Sequence, residues 1–200
     1  MKLITTEFYR RPTLTVARDL LGKVFVRREG GDTLSGRIVE VEAYHQDGDE
    51  AAHSFGGERE RNRVMFRDGG LLYVYFTYGM HFCMNVVTER EGTGAAVLIR
   101  ALEPMEGVAR MRENRGVGKT DVELTNGPAK LCQALGIGRG ENGLPLDGGI
   151  VGMYDDGAAP GAEIGISTRV GISRSTELPW RFFLTGNRWV SRGRPSHPTI

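Results

Sequence analysis

An α+β fold is predicted for this 200-residue chain, and three observations point to it. Strand-like apolar runs outnumber helical ones and do not alternate with them as βαβ units would. Two such runs, Leu71–Phe76 and His81–Thr88, are separated by only a few residues around Tyr78 and Gly79, which reads as a tight hairpin. Hydrophobic content of 40% and charged content of 26% are those of an ordinary globular domain, long enough to bury a core. The expected architecture is a single domain over residues 1–200, with a curved, mainly antiparallel sheet, surrounding helices and a protruding β-hairpin. The tail, 192–200, is expected to be disordered.

The elements follow in order. Pro12–Leu21 predicts a short helix with Thr13 or Thr15 as cap, an apolar stripe of Val16, Leu20 and Leu21, and Gly22 as stop. Lys23–Arg28 and Arg37–Tyr44 predict strands around an EGGD turn. Alternation in the second places Ile38, Glu40, Glu42 and Tyr44 on one face and Val39, Val41 and Ala43 on the other. The hairpin follows, with Tyr73, Tyr75 and Thr77 sharing a face. Ala95–Leu102 is apolar enough for a central strand, ended by Pro104. Glu106–Met111 starts a helix, and Glu113–Glu123 reads as a polar loop. Asn126–Leu135 predicts a helix with Asn126 as cap, Pro128 in the first turn and Gly136 as stop. Arg139–Gly149 is Gly-rich and irregular. Ile164–Val170 and Arg181–Leu184 predict late strands.

Composition bounds function. Cys83 and Cys132 form neither a disulfide framework nor a zinc set, and buried reduced thiols are expected. No apolar run approaches the length of a membrane span, and the N-terminus lacks a signal-peptide core, so a cytoplasmic protein is expected. Net charge of +1 announces no nucleic-acid partner by itself. Only four of the 26 basic residues are Lys (Lys2, Lys23, Lys119, Lys130). A GC-rich genome accounts for that total. The clusters Arg59, Arg61, Arg63, Arg67 and Arg110, Arg112, Arg115, Lys119 are more pointed, because Arg suits planar phosphate contact. No Walker loop, dinucleotide fingerprint, HExxH or CxxC is present.

Chemistry concentrates between Arg37 and Arg100. Glu42 lies on an apolar strand; it either faces water with Glu40 and Tyr44, or is a carboxylate held in a half-buried cleft where it can take a proton from water. Arg100 follows Val97, Leu98 and Ile99, and a charge there needs a partner. It is either in a structural ion pair with Glu42 or Glu103, or a clamp on a phosphate or an attacked water. Tyr73 and Tyr75 are accounted for by cross-strand aromatic pairing. Tyr78, at the hairpin tip, is not, and is a candidate wedge between base steps. A lone His such as His53 is more often structural, and no metal-ligand spacing surrounds it. Two other classes stay open: a module that binds nucleic acid without cutting, for which Glu42 is superfluous, and a hydrolase of free nucleosides, for which Tyr78 has no gap to fill.

The blocks RIVEVEAY, DEAAHS, RNRVMF, LYVYFTYGMHFCMN, VLIRALEPMEG, NGPAKLCQAL, RVGI and WRFFLTGNRWVS, spanning about Pro12 to Ser191, resemble the alkyladenine (3-methyladenine) DNA glycosylase family. The resemblance implies a compact bacterial-type DNA repair enzyme acting on alkylated or deaminated purines in double-stranded DNA. It implies excision by hydrolysis without cofactor, metal or lyase step, by a monomer. Glu42 matches the general base that activates water, and Arg100 the residue holding that water and the flipped nucleotide's phosphate. A main-chain carbonyl near Val170 is the implied third water contact. Tyr44 and Tyr75 match the aromatic walls around the extruded base, with His53 on the rim. Tyr78 matches the side chain that fills the gap in the duplex, and Asn85 the residue that crowds the 2-amino group of guanine. His81 stands where mammalian members usually carry an aromatic, and their long basic N-terminal extension is absent.

Overall fold

The computed structural model of the chain describes residues 1–116 and 120–193. The expectations for Lys119 and for the end of the tail, 194–200, lie outside the described residues. Among the described residues, nine strands form one curved sheet: β1 (Lys2–Leu3), β2 (Val24–Glu29), β3 (Asp32–His45), β4 (Leu72–Thr77), β5 (His81–Val87), β6 (Ala95–Glu106), β7 (Val151–Asp155), β8 (Ile164–Ser167) and β9 (Arg181–Leu184). Every pairing among them is antiparallel. The helices are α1 (Thr6–Tyr9), α2 (Thr13–Leu20), α3 (Val108–Arg115), α4 (Asp121–Thr125) and α5 (Pro128–Leu135), with 3-10 turns at Glu60–Phe66 and Arg139–Glu141. The α+β expectation is met. No helix among the described residues is long and apolar enough to cross a membrane.

The long strand β3 organises the sheet. On one edge its first half pairs with β2 and Glu40–Glu42 pair with β9; on the other edge it pairs with β6 from Ser35 to His45. Residues 40–42 are therefore held from both sides. As expected, β6 is central, lying between β3 and β5. Its Val97, Ile99 and Ala101 join Val39 and Val41 of β3, Val16 and Leu20 of α2, and Leu131 and Leu135 of α5 in the main core.

The β3–β6 register is interrupted where the site begins. Ile38 pairs with Leu102, Glu40 with Ala101 and Val41 with Ile99, so Val39 and Arg100 are both skipped. Such irregularities re-aim side chains and locally increase twist. Here they break the strict alternation expected from sequence: Ile38 packs in the same core as Val39, Val41 and Ala43 rather than beside Glu42.

Other expectations are corrected in detail. Pro104 does not end β6, which continues to Glu106; Pro104 pairs with Gly36 at another register shift, where a missing N–H is tolerated. Thr13 does not cap α2; Pro12 precedes the helix, and the Thr13 hydroxyl donates to Glu89 at 2.6 Å. Asn126 does not cap α5, whose N-cap is Gly127; Asn126 closes α4 and its side chain accepts from Lys130 Nζ at 2.8 Å. The supposed loop Glu113–Glu123 contains the end of α3 and the start of α4. Within α3 only Met111 is buried, so no apolar stripe betrays it. The late strand ends at Ser167, which frees residues 168–172 to turn toward Glu42.

Candidate active site

Four strands and two loops converge on a cavity of about 370 Å³, within the range typical of small-ligand sites. Tyr44 of β3, Tyr75 of β4, Asn85 of β5, Arg100 of β6, His53 of the 46–57 loop and Val170 of the 168–172 segment all line it. Tyr78 stands at its mouth.

Glu42 is completely buried, which removes the water-facing alternative. It lies behind the cavity wall, and the groups that bond it are the wall. Its Oε1 accepts the Val170 N–H at 2.7 Å. Its Oε2 accepts the Tyr44 hydroxyl at 2.8 Å and Arg100 Nη1 at 3.2 Å. Val170 therefore reaches Glu42 through its N–H, a contact separate from the carbonyl expected to meet the water. An ionised carboxylate offers about four acceptor sites, so these three donors leave about one for a water.

Arg100 is held by carboxylates on both sides. Burial opposes its charge, but Glu42 and Glu40 outweigh that and raise its pKa above the usual arginine value. Glu40 shows the mirror balance: burial pushes its pKa up, and the cations Arg100 and Arg181 pull it below the usual carboxylate range. Glu103, a partner weighed for Arg100, instead lies within reach of Asn187 Nδ2 at 3.4 Å. Sequence reasoning missed Glu40 as the second partner. An acid two residues before Glu42 on one strand was the available signal, and it was read only as part of a solvent face.

The aromatic wall is uncharged. Burial, then Glu42, pushes Tyr44 well above the ordinary phenol pKa. Burial, then Cys83, does the same to Tyr75. Tyr73 is pushed up to about 12 by burial. Burial, then the nearby Arg61, lowers His53, so its ring is neutral at neutral pH. His53 Nδ1 lies 3.0 Å from the Tyr73 hydroxyl, and its ring stands edge-on to Tyr75 at 4.4 Å between centroids. The Asn62 amide holds the His53 loop by donating to the His53 and Gly57 carbonyls at 2.7 and 3.1 Å. Asn85 Nδ2 donates to the Tyr73 carbonyl at 3.1 Å, which fixes its amide in the cavity wall.

A second buried ion pair was also missed. Arg169 donates to both oxygens of Asp49 at 2.6 and 2.7 Å, and to the Ala43 carbonyl at 3.0 Å. Its guanidinium lies 4.6 Å from the centre of the Tyr44 ring. It thereby ties the 168–172 segment to the His53 loop and backs the Tyr44 wall. The partners are separated by 120 residues, so no local pattern could announce the pair.

The hairpin tip has the opposite character. Tyr78 is 83% exposed and adopts φ 50°, with Gly79 at φ 67° completing the turn. Phe76 and Met80 are exposed beside it. Both cysteines are buried free thiols, as expected, and Cys83 lines the cavity. Of the two basic clusters, Arg110 and Arg112 are engaged by Glu113 and Asp121, and Arg67 by Glu58 and Glu91.

Comparison with known proteins gives one consistent result. Residues 7–188 match the family model described as methylpurine-DNA glycosylase. A Chlorobaculum parvum protein is 51% identical over 99% of this chain and 95% of its own length. One from Carboxydothermus hydrogenoformans is 49% identical over 95% of this chain and 99% of its own, and one from Methanoculleus marisnigri is 50% identical over 92% and 96%. Each of the three is named "Putative 3-methyladenine DNA glycosylase".

Proposed function

The chain belongs to the methylpurine-DNA glycosylase family and is a DNA glycosylase; we propose that it flips alkylated or deaminated purines out of duplex DNA and hydrolyses their N-glycosidic bond with one activated water. The substrates would be 3-methyladenine, 7-methylguanine, hypoxanthine and ethenoadenine. The enzyme would act as a monomer, in the cytoplasm and against the nucleoid.

The observation that carries this reading is Glu42. It is fixed by three donors, left with about one open acceptor site, and set directly behind an aromatic cavity. A base inside a duplex hides its glycosidic bond, and extruding it costs a few kcal/mol. Tyr78 would offset part of that cost by stacking where the base had been. In the cavity, Tyr44 and Tyr75 present uncharged rings, and a purine made cationic by N3 or N7 alkylation is drawn to such faces. The water bound at the open site of Glu42 gives up a proton to the carboxylate as its oxygen attacks C1′, and the purine leaves with the bonding electrons. Arg100, already against Glu42, would steady that water and the nucleotide's phosphate. Asn85, held by Tyr73, would crowd the 2-amino group of normal guanine.

A lyase step needs an amine nucleophile, and no Lys falls between Arg37 and Arg100. This supports simple hydrolysis. The deciding test is single-turnover excision on duplexes that each carry one of the four lesions, with strand scission scored before and after alkaline treatment. Free base released from at least one lesion, with nicking only after alkali, is the expected outcome. Release from none, or nicking without alkali, overturns the reading.

A further inference from the structure

The carboxylate two residues before Glu42 has no role in the mechanism above, yet four hydrogen bonds hold it. Glu40 Oε1 accepts from Arg100 Nε at 2.8 Å, Arg181 Nε at 2.7 Å and the Ser191 hydroxyl at 2.8 Å. Its Oε2 accepts the Ser191 N–H at 2.6 Å. Arg100 Nη2 also approaches the Ser191 hydroxyl at 3.4 Å, closing a ring of Glu40, Arg100 and Ser191. Glu40 is completely buried, so it never touches DNA.

We propose that Glu40, braced by Ser191, is a positioning residue that divides the Arg100 guanidinium between two carboxylates and so keeps one acceptor site of Glu42 open for water. This rests on the assignment of Glu42 as the general base.

The argument is geometric. An arginine beside a single carboxylate favours a fork of two parallel N–H bonds. Arg100 makes no such fork with Glu42; it gives Glu42 one N–H, at 3.2 Å, because its Nε and Nη2 are turned to Glu40 and Ser191. A full fork onto Glu42 would add a fourth donor to a carboxylate that already accepts from Val170 and Tyr44. It would thereby occupy the place of the water. The skipped register at Arg100 supplies the freedom that lets its side chain lie between Glu40 and Glu42. Ser191 belongs to the last described stretch of chain and reaches Glu40 through both its main chain and its hydroxyl. The C-terminal segment is thereby coupled to the arginine in the site.

The test compares Glu40→Gln, Arg181→Gln, Arg100→Ala and the double variant Glu40→Gln with Arg100→Ala. Single-turnover excision is measured per active site, titrated with an abasic-analogue duplex, and each melting temperature is recorded. Glu40→Gln keeps the size of the side chain and should lower excision about 10- to 100-fold, as expected when a reacting group is displaced by about an ångström. Affinity for the abasic duplex should fall by less than about threefold, well short of the loss in excision, because the Arg100 charge that meets the phosphate is retained. In the Arg100→Ala background the same substitution should cost nothing further, since a residue acting through Arg100 has then lost its means of action. Arg181→Gln removes an equally buried bond from Glu40 but leaves Arg100 in place, and should keep excision within about threefold of wild type. Should Glu40→Gln not fold, Ser191→Ala takes its place in the cycle, with a smaller loss that again vanishes without Arg100. Excision by Glu40→Gln within threefold of wild type, additivity with Arg100→Ala, or an equal loss in Arg181→Gln each overturns the proposal. A wild-type protein that releases no base from any lesion duplex would instead overturn the glycosidic assignment itself.

Discussion

The middle of β3 and the tip of the β4–β5 hairpin depart from ordinary folding rules in opposite directions. In β3, two carboxylates with no solvent exposure sit in the sheet interior; at the tip, a tyrosine stands 83% exposed on a left-handed backbone. The first is stable because nearly all its acceptor sites are filled. Three donors on Glu42 and four bonds on Glu40 replace what water would have supplied. The second is the reverse. Tyr78 forgoes apolar burial worth about 2 kcal/mol for a side chain of its class and holds a backbone conformation rarely used outside glycine and asparagine. One region is held almost wholly within the chain, and the other is left open at the surface.

The sharpest way to break that contrast is Glu42→Gln. The amide keeps the size of the side chain and removes the proton acceptor, so excision should fall by roughly 10²- to 10⁴-fold while lesion binding survives. Near-normal single-turnover excision by this variant would remove Glu42 from the chemistry and leave the β3 network as architecture alone.

Tyr78→Ser tests the other half. Base–aromatic stacking is worth roughly 1–3 kcal/mol, so affinity for an abasic duplex should weaken by about 5- to 150-fold. An exposed side chain away from special interactions changes stability by about 0.5 kcal/mol or less, so melting temperature should hardly move. A large drop in melting temperature with unchanged affinity of the folded fraction would return Tyr78 to the fold.

Asn85→Ser gives the smallest effect and sits between the two regions, in the cavity wall. Shortening the side chain opens room for an exocyclic amine, and excision of undamaged guanine relative to hypoxanthine should rise about 10-fold. The lost bond to the Tyr73 carbonyl should cost about 1 kcal/mol of stability. A guanine-to-hypoxanthine ratio that does not change means that Asn85 is no gate.

The hairpin, the central strand β6 and the α+β class were legible in the sequence because each rests on local rules: a tight turn, a continuous apolar run, the ratio of strand to helix signals. The aromatic cavity residues were legible through the resemblance, and Tyr73, Tyr75 and Thr77 also through simple alternation along β4. What stayed hidden were the second half of α3, whose exposed charged surface carries no stripe, the start of α4, and the pairs Glu40–Arg181 and Asp49–Arg169, whose members lie more than a hundred residues apart.

By itself the sequence determined which residue types gather between Arg37 and Arg100, and that Arg100, set in an apolar strand, must find a partner. It could not determine which partner. That was decided by the register shift that skips Val39 and Arg100, by β9 pairing with Glu40–Glu42, and by the chain returning at Val170 and Ser191 to fill further acceptor sites. The physical reason is that burying a carboxylate is tolerable only when its oxygens are bonded. Apart from Tyr44 on the same strand, the donors that bond Glu40 and Glu42 come from β6, from β9 and from segments more than 120 residues along the chain, which only the folded sheet brings together.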